Sequence, residues 1–311
     1  MNGKDTALAF DYQKIDQAYL DDPFPIYALL REHDPVHQNP DGTYFLTRYE
    51  DVVLSMRHPA MSSDKTVDFK PRFGEGPLYT HHTTSLVFND DPYHSRVRKL
   101  MAEAFTPRKM AELDPIIDQI VDGLLERLEG EGEFDVLHDF ALALPTEIIA
   151  DMLGVPEEHR HKMHNYSTLI LGALDPIVSD EKMQAGHDAV TEFGELLEEL
   201  IAKRREQPTG AEMGEVLVSL IFGEVEGEKL SPLELVQNCI FLLNAGHETT
   251  ANLVANGIGI LLDFPDQMDR LREDPSLIKI AVEEFLRFQS PLQVGNRKAL
   301  EDIEMGPEGS K

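Results

Sequence analysis

Residues Ala245-Gly246-His247-Glu248-Thr249-Thr250 interrupt a long apolar run with a glycine, an acid and two hydroxyl side chains. The run begins at the capping-box pattern Ser231-Pro232-Leu233-Glu234 and continues to about Asp263. This predicts one helix of roughly 32 residues, or about 48 Å, long enough to cross a whole domain. Glycine and polar β-branched residues weaken a helix interior, so their place in a buried helix indicates a functional use.

One face of this predicted helix carries little side chain in its middle. At about 100° per residue, the face combines Leu242, Ala245, Gly246, Thr249 and Leu253. We expect the Thr249 hydroxyl to bond the Ala245 carbonyl, with the titratable Glu248 beside it. The face would then seat a flat ligand next to a proton relay. A self-satisfied threonine in a packed core, beside a solvated Glu248, is the alternative that the hexapeptide leaves open.

A second candidate site lies on a helix that the sequence starts at Asp91-Pro92, with Asp as the N-cap and Pro at the first helical position. His94 and Arg98 are four residues apart and share a face, so they could jointly hold a dianionic group. Their cationic neighbours Arg96 and Lys99 point elsewhere. A solvated basic face is the open alternative.

Two further candidates lie near the end of the chain. Glu284 and Arg287 are three residues apart on a helix predicted for Ser276 to Phe288. An exposed pair of this kind contributes little, whereas a buried pair is strongly destabilised by loss of one partner. The spacing does not decide between the two. Arg297, in a segment that looks extended, is another possible anion contact.

Composition excludes several classes of partner. The 311 residues include 57 acids and 28 bases, for a net charge of −29, which disfavours nucleic acid and anionic membranes. Cys239 is the only cysteine, so an internal disulfide is excluded and a reducing cytoplasm is favoured. No glycine-rich phosphate loop and no zinc-binding motif is present. We expect a soluble cytoplasmic protein with a single domain over residues 1–311.

The rest of the sequence predicts a mainly α fold with small β-sheets. A hairpin is expected from Val36-His37-Gln38 and Tyr44-Phe45-Leu46-Thr47, joined by a turn rich in Asn, Pro, Asp and Gly. Residues 60–88 have little periodicity and predict a long irregular loop, in which His81-His82 would be a solvated pair. Residues Glu301 to Lys311 predict a strand that leads into a turn at Gly306-Pro307-Glu308-Gly309.

Three motifs, in this order and at these separations, resemble the cytochrome P450 family of haem-thiolate monooxygenases. They are Phe88-Asn89-Asp90-Asp91-Pro92-Tyr93-His94-Ser95-Arg96-Val97-Arg98, then Ala245 to Thr250, then Glu284-Phe285-Leu286-Arg287. The second is similar to the oxygen-binding motif of the family and the third to its Glu-x-x-Arg pair. Leu153-Gly154-Val155-Pro156-Glu157-Glu158 resembles the soluble bacterial branch. The resemblance runs from about Asp22 to the last residue.

The resemblance implies a haem b cofactor and residues that would bind it. His94 and Arg98 would hold the haem propionates, with Arg297 as a third contact. Ala245 and Gly246 would lie over the haem plane. The family fold would be incomplete at its C-terminus, because the chain ends before the glycine-rich loop that carries the family's haem-ligating cysteine.

The resemblance also implies catalytic and structural roles. Glu248 and Thr249 would manage the protons of dioxygen activation, and Glu284 and Arg287 would be structural. Residues 60–88 and roughly 165–185 would line substrate access. Cys239 lies on the long helix, where the family presents the side opposite the axial ligand, so it is no substitute for the missing thiolate.

We therefore expect a monooxygenase that inserts one oxygen atom of O₂ into a small apolar organic substrate. Electrons would come from a separate ferredoxin or a flavin-containing donor. The 311-residue chain would be an inactive fragment. The alternative is a non-catalytic acidic helical binding protein that retains the scaffold without haem.

Overall fold

Helices form most of the molecule, as seen in a computed structural model that describes residues 2–175, 178–207 and 215–306. The chain divides into two units. One contains the residues up to Ser63 and those from Asn296 onward, and the other is Asp64–Gly295. Within the described residues, none of the helices combines the length and the apolar content that crossing a lipid bilayer requires.

In its described residues, 2–63 and 296–306, the first unit has four α-helices and two small antiparallel sheets. Its helices are α1 (Gly3–Leu8), α2 (Gln17–Asp21), α3 (Phe24–His33) and α4 (Tyr49–Arg57), with a 3₁₀ turn at Tyr12–Lys14. Its strands are β1 (Val36–Gln38), β2 (Tyr44–Leu46), β3 (Met61–Ser62) and β4 (Lys298–Ala299). In the sheets, β1 pairs with β2 and β3 pairs with β4.

The predicted hairpin is confirmed. Val36 lies opposite Leu46, and the Gly42 amide donates to the Asn39 carbonyl at 2.9 Å. Gly42 has a φ of 87°, a left-handed value that side chains other than glycine rarely adopt. Next to the turn, His37 is buried, with Nδ1 2.7 Å from Asp34 Oδ2 and Nε2 2.8 Å from the Phe10 carbonyl.

The second unit is a helical assembly. Its α-helices are α5 (Thr66–Phe73), α6 (Pro77–Thr84), α7 (Tyr93–Ala102), α8 (Pro107–Ala111), α9 (Asp114–Leu128), α10 (Ala143–Leu153), α11 (Glu157–Gly172), α12 (Asp180–Glu206), α13 (Glu215–Phe222), α14 (Pro232–Asp263), α15 (Pro265–Glu273) and α16 (Ile278–Phe288). Shorter turns are 3₁₀ segments at Leu86–Phe88, Glu103–Phe105 and Pro275–Leu277, and a π-helical turn at Val136–Ala141.

The long helix α14 runs through the core of this unit and confirms the sequence prediction at both ends. The Ser231 hydroxyl accepts from the Glu234 amide at 3.3 Å, and the Glu234 carboxylate accepts from the Ser231 amide at 2.8 Å, which is the reciprocal capping box. The helix ends at Asp263, before Pro265. It contacts α6, α10, α11, α12, α13 and α16.

The prediction that residues 60–88 are irregular is wrong. This stretch contains β3, α5, α6 and the Leu86–Phe88 turn. Pro77 occupies the first turn of α6, where its missing N–H costs nothing, and Phe73 and Leu78 are buried. Each helix has only eight residues, too few for a clear 3.6-residue periodicity.

Three smaller expectations also change. Pro92 is the N-cap of α7 rather than its first residue, and the Asp91 carboxylate accepts from the Ser95 amide at 3.1 Å. The strand predicted from Glu301 is absent from the described residues 301–306, and its turn at 307–309 lies outside them. The strand that does form, β4, begins earlier and pairs with β3. Helix α13 was not predicted.

The capping box gives a prediction for stability. Ser231→Ala removes the side-chain acceptor at the N-terminus of α14 and should lower the free energy of unfolding by about 1 kcal/mol. Ser231→Gly should lower the free energy of unfolding by only about 0.3 kcal/mol, because glycine is tolerated at an N-cap. Urea unfolding of the three proteins measures both values. Equal losses for the two variants would contradict this assignment.

Candidate active site

At the centre of α14, some side chains of the motif are buried and others are exposed. Ala245 and Glu248 are exposed, whereas Asn244 and His247 are buried. The Thr249 hydroxyl donates to the Ala245 carbonyl at 2.9 Å, as the spacing predicts. The acid is therefore on the accessible side of the helix. The small residue Ala245, whose carbonyl is bonded by Thr249, and the ionisable Glu248 are thus accessible on this side of the helix.

Gly246 has a neighbour that the sequence did not indicate. A Cβ added to Gly246 would lie 2.9 Å from Ile149 Cδ1, so the glycine allows α10 to approach the backbone of α14 closely. Packing between the two helices is a sufficient reason for glycine at this position. Its predicted role under a flat ligand stays a prediction.

The cations of α7 fall into two groups. Arg96 forms an ion pair with Glu234, and Lys99 Nζ lies 2.6 Å from Glu226 Oε1. Arg98 is exposed and has no ion-pair partner among the described residues, and His94 Nδ1 is 3.8 Å from Asp91. Arg98 and the half-exposed His94 thus remain accessible to an external anion, while the other two cations are neutralised within the fold.

The remaining sequence candidates are exposed. Arg287 donates to both carboxylate oxygens of Glu284, from Nε at 2.7 Å and from Nη2 at 2.6 Å. This contact lowers the pKa of Glu284 and raises that of Arg287. Arg297 belongs to the first unit, where its Nη1 donates to the Asn296 carbonyl at 2.7 Å. Its role as an anion contact stays a prediction.

Cys239 is completely buried on α14, and burial raises the pKa of its thiol to about 12. A metal-binding cysteine needs to be a thiolate at neutral pH, in contact with the metal. Burial keeps the Cys239 sulfur enclosed in the core and favours the protonated thiol.

Sequence reasoning missed a buried polar cluster between α6 and α14. His81 Nδ1 donates to Gln237 Oε1 and His81 Nε2 accepts from Asn244 Nδ2, each at 3.1 Å. His81 and His82 are 1% and 2% exposed, so the prediction of a solvated pair is wrong. Gln237 and Asn244 are seven residues apart on one face of α14, which is the signal that could have indicated a partner.

A second missed contact joins α11 to the motif. His164 Nδ1 lies 3.0 Å from His247 Nε2, and His247 is 2% exposed. Burial, with a contribution from His164, lowers the pKa of His247 to about 4. The two residues are 83 positions apart in the sequence, so no local pattern could have predicted their contact.

Comparison with known proteins identifies the class. The cytochrome P450 family model matches residues 43–278, and the chain therefore belongs to this family of haem-dependent oxidoreductases. Vitamin D(3) 25-hydroxylase of Pseudonocardia autotrophica is 39% identical over 285 residues, which are 90% of this chain and 68% of that protein. The biotin biosynthesis cytochrome P450 of Bacillus subtilis is 32% identical and covers 92% of this chain and 72% of its own length.

Solved structures agree on the fold, which is mainly α with small sheets. The crystal structure of P450BioI in complex with an acyl carrier protein ligated to hexadec-9Z-enoic acid has a TM-score of 0.84 and 31% identity. The match covers 93% of this chain and 74% of that one.

The family implies haem, and this structure allows a test of fit. The exposed turn Ala245 to Thr249 fits the face of a flat cofactor, and the accessible Arg98 and His94 suit its carboxylates. Cys239 does not fit the axial position, because its sulfur is enclosed in the core. The predicted cofactor contacts Arg98, His94 and Ala245 are therefore accessible to such a group, whereas the sulfur of Cys239 is not.

Burial predicts the reactivity of Cys239. In the native protein at pH 8, Cys239 should not react with a small thiol reagent, because its pKa is raised to about 12 and its sulfur is inaccessible. In 6 M guanidinium the same thiol should react fully. A colorimetric thiol assay under both conditions measures this, and rapid native labelling would contradict the burial.

The buried histidines predict a pH dependence of stability. The pKa values of His81 and His247 are lowered to about 4 in the fold from 6.5 when unfolded, so protons bind the unfolded state preferentially. The stability that these neutral histidines contribute is fully present above pH 6.5 and is lost as the pH falls from 6.5 towards 4. Each histidine should account for about 1.4 kcal/mol lost between pH 7.5 and pH 5.5. Urea unfolding at both pH values measures the loss, and His81→Gln should reduce it; an unchanged difference would contradict the assignment.

Proposed function

We propose that this chain forms the oxygen-handling face of a haem monooxygenase. The observation that carries the proposal is the exposed turn of α14, where the Thr249 hydroxyl is held at 2.9 Å from the Ala245 carbonyl beside the accessible Glu248. When bound, the haem supplies the chemistry that activates dioxygen and transfers one oxygen atom to an organic substrate. Ala245 and Gly246 would lie against its plane.

The side chains of this site would divide the work between binding and proton transfer. His94 and Arg98 would hold the haem carboxylates, since Arg96 and Lys99 on α7 are already paired. Glu248 would exchange protons with solvent, and the Thr249 hydroxyl would pass them to the ligand side of α14. Glu284 and Arg287 would serve a structural role at α16.

The substrate that we propose is apolar. Two relatives point this way, one named for vitamin D(3) and one crystallised with a carrier-bound hexadecenoic acid. Helices α5 and α6, together with the turn that follows, contribute Phe73, Leu78 and Leu86 to the core of the unit, in the segment expected to border substrate access. Electrons would come from a separate ferredoxin or flavin-containing donor, and the single buried thiol is compatible with a cytoplasmic protein.

We also propose that the 311-residue chain has no monooxygenase activity alone, because its one cysteine is enclosed. Haemin added to the purified chain should therefore give no thiolate-type Soret band in the carbon monoxide difference spectrum of the reduced protein. A thiolate-type band would overturn this proposal, since only Cys239 could supply it.

The same titration tests the cofactor contacts. Arg98→Ala should weaken haemin binding roughly tenfold, because it removes a charge-assisted hydrogen bond to a carboxylate. Lys99→Ala is the matched control: it makes the same change of charge on the same helix, but at a cation already paired with Glu226. Equal effects of the two variants would contradict the predicted contact. A chain that binds no haemin would favour the haem-free binding protein.

A further inference from the structure

His247 lies inside the motif yet points away from its exposed side. Its neighbours Ala245 and Glu248 are accessible, whereas the His247 ring is 2% exposed and lies between α11 and the start of α10. The site proposed above assigns no role to this ring. A buried imidazole beside a proton-handling turn therefore needs an explanation of its own.

The His247 ring has a hydrogen-bonding partner on α11. Its Nε2 lies 3.0 Å from His164 Nδ1. Across such a contact one imidazole nitrogen donates and the other accepts, so at least one of the two rings must be neutral. Burial, which lowers the pKa of His247, favours its neutral form.

The anchors behind His247 are themselves well held. Leu142 joins the π-helical turn Val136–Ala141 to α10, and its carbonyl also accepts from the Thr146 hydroxyl at 2.9 Å. The Leu142 amide donates to the Leu137 carbonyl at 2.9 Å. The backbone at Leu142, which contributes to the pKa of His247, is therefore fixed by hydrogen bonds on both sides.

The close packing at Gly246 also restrains the position of α14. Ile149 Cδ1 occupies the space in which a Cβ at this position would lie, so α10 packs against α14 one residue before His247. We call the contact between His247 and His164 the tether. The packing at Gly246 limits the separation of the two helices, and a buried hydrogen bond from His247 to α11 resists rotation of α14 about its axis. Rotation matters because it sets which way Ala245 and Thr249 face.

We propose that His247 is a positioning residue: its buried hydrogen bond to His164, with the close packing of Gly246 against Ile149, holds the turn Ala245 to Thr249 in the orientation in which the Thr249 hydroxyl bonds the Ala245 carbonyl. Because His164 belongs to α11, the tether also couples α11 to the orientation of this turn. The catalytic meaning of the tether rests on the function proposed above. Its geometry does not.

The ion pair of His138 with Asp135 lies at the π-helical turn, near His164 and His247. His138, on the π-helical turn, lowers the pKa of His164 together with burial, and His138 Nδ1 is 3.1 Å from Asp135. The bond to His164 needs a hydrogen-bond donor or acceptor at residue 247. Glutamine supplies both through its amide, whereas leucine fills similar space and supplies neither.

The test compares His247→Leu with His247→Gln in the 311-residue protein without haem. The first readout is the ¹³C shift of the Thr249 methyl group, which reports its χ1 rotamer. Threonine in a helix divides between two rotamers, and the bond to Ala245 selects one. We expect His247→Leu to mix the two rotamers and to speed amide exchange at residues 248–251 roughly 2- to 10-fold, as loss of one or two hydrogen bonds implies. His247→Gln should restore both readouts.

His164→Leu should reproduce part of the effect, and the double variant with His247→Leu should add little to it. His81→Leu is the matched control, since it removes another buried histidine that bridges to α14, at Gln237 and Asn244, and should leave Thr249 unchanged. A Thr249 signal unchanged in His247→Leu would overturn the proposal, as would a glutamine variant no better than the leucine variant. Because the experiment uses no haem, failure here leaves the haemin titration unaffected, and the reverse also holds.

Discussion

The structure depends on one helix that must be part of the core and yet open at its centre. Helix α14 is capped at Ser231, runs for 32 residues and packs against α6, α10, α11, α12, α13 and α16. Leu243 and Cys239 are completely buried, while Ala245, only a few residues further along, is exposed. The two kinds of side chain lie on different faces of the helix. Apolar and amide side chains face the core, whereas Ala245, Glu248 and the Thr249 hydroxyl lie on the accessible face.

Polar contacts inside the core give this arrangement its specificity. Apolar packing alone tolerates small rotations and slides of a helix, whereas a buried hydrogen bond is lost within a few tenths of an ångström. His81 bridges two amides of α14 from α6, and His247 reaches His164 on α11. Both histidines are neutral, which keeps the cost of burial to that of a paired polar group rather than of a charge.

Sequence reasoning predicted those elements that carry their own signals. The capping box and the proline after Asp263 defined α14, and the turn composition defined the β1–β2 hairpin. Helices α5 and α6 could not be predicted, because eight residues that contain prolines show no periodicity and owe their order to the core beneath them. The same limit applies to the site. The bond from Thr249 to Ala245 is local and was predicted, whereas the partners of His81 and His247 are distant in sequence and become neighbours only through packing.

Glu234 connects the two halves of the proposed site. Its carboxylate caps the first turn of α14 and pairs with Arg96, whose guanidinium also lies 5.4 Å from the centre of the Tyr93 ring on α7. Helix α7 carries His94 and Arg98, and α14 carries Ala245 and Thr249. A single acidic side chain thus links the helix expected at the edge of the cofactor to the helix expected over its face. Because this carboxylate is buried and holds a backbone amide and a guanidinium at once, exchange of the residue would leave unpaired groups on both helices.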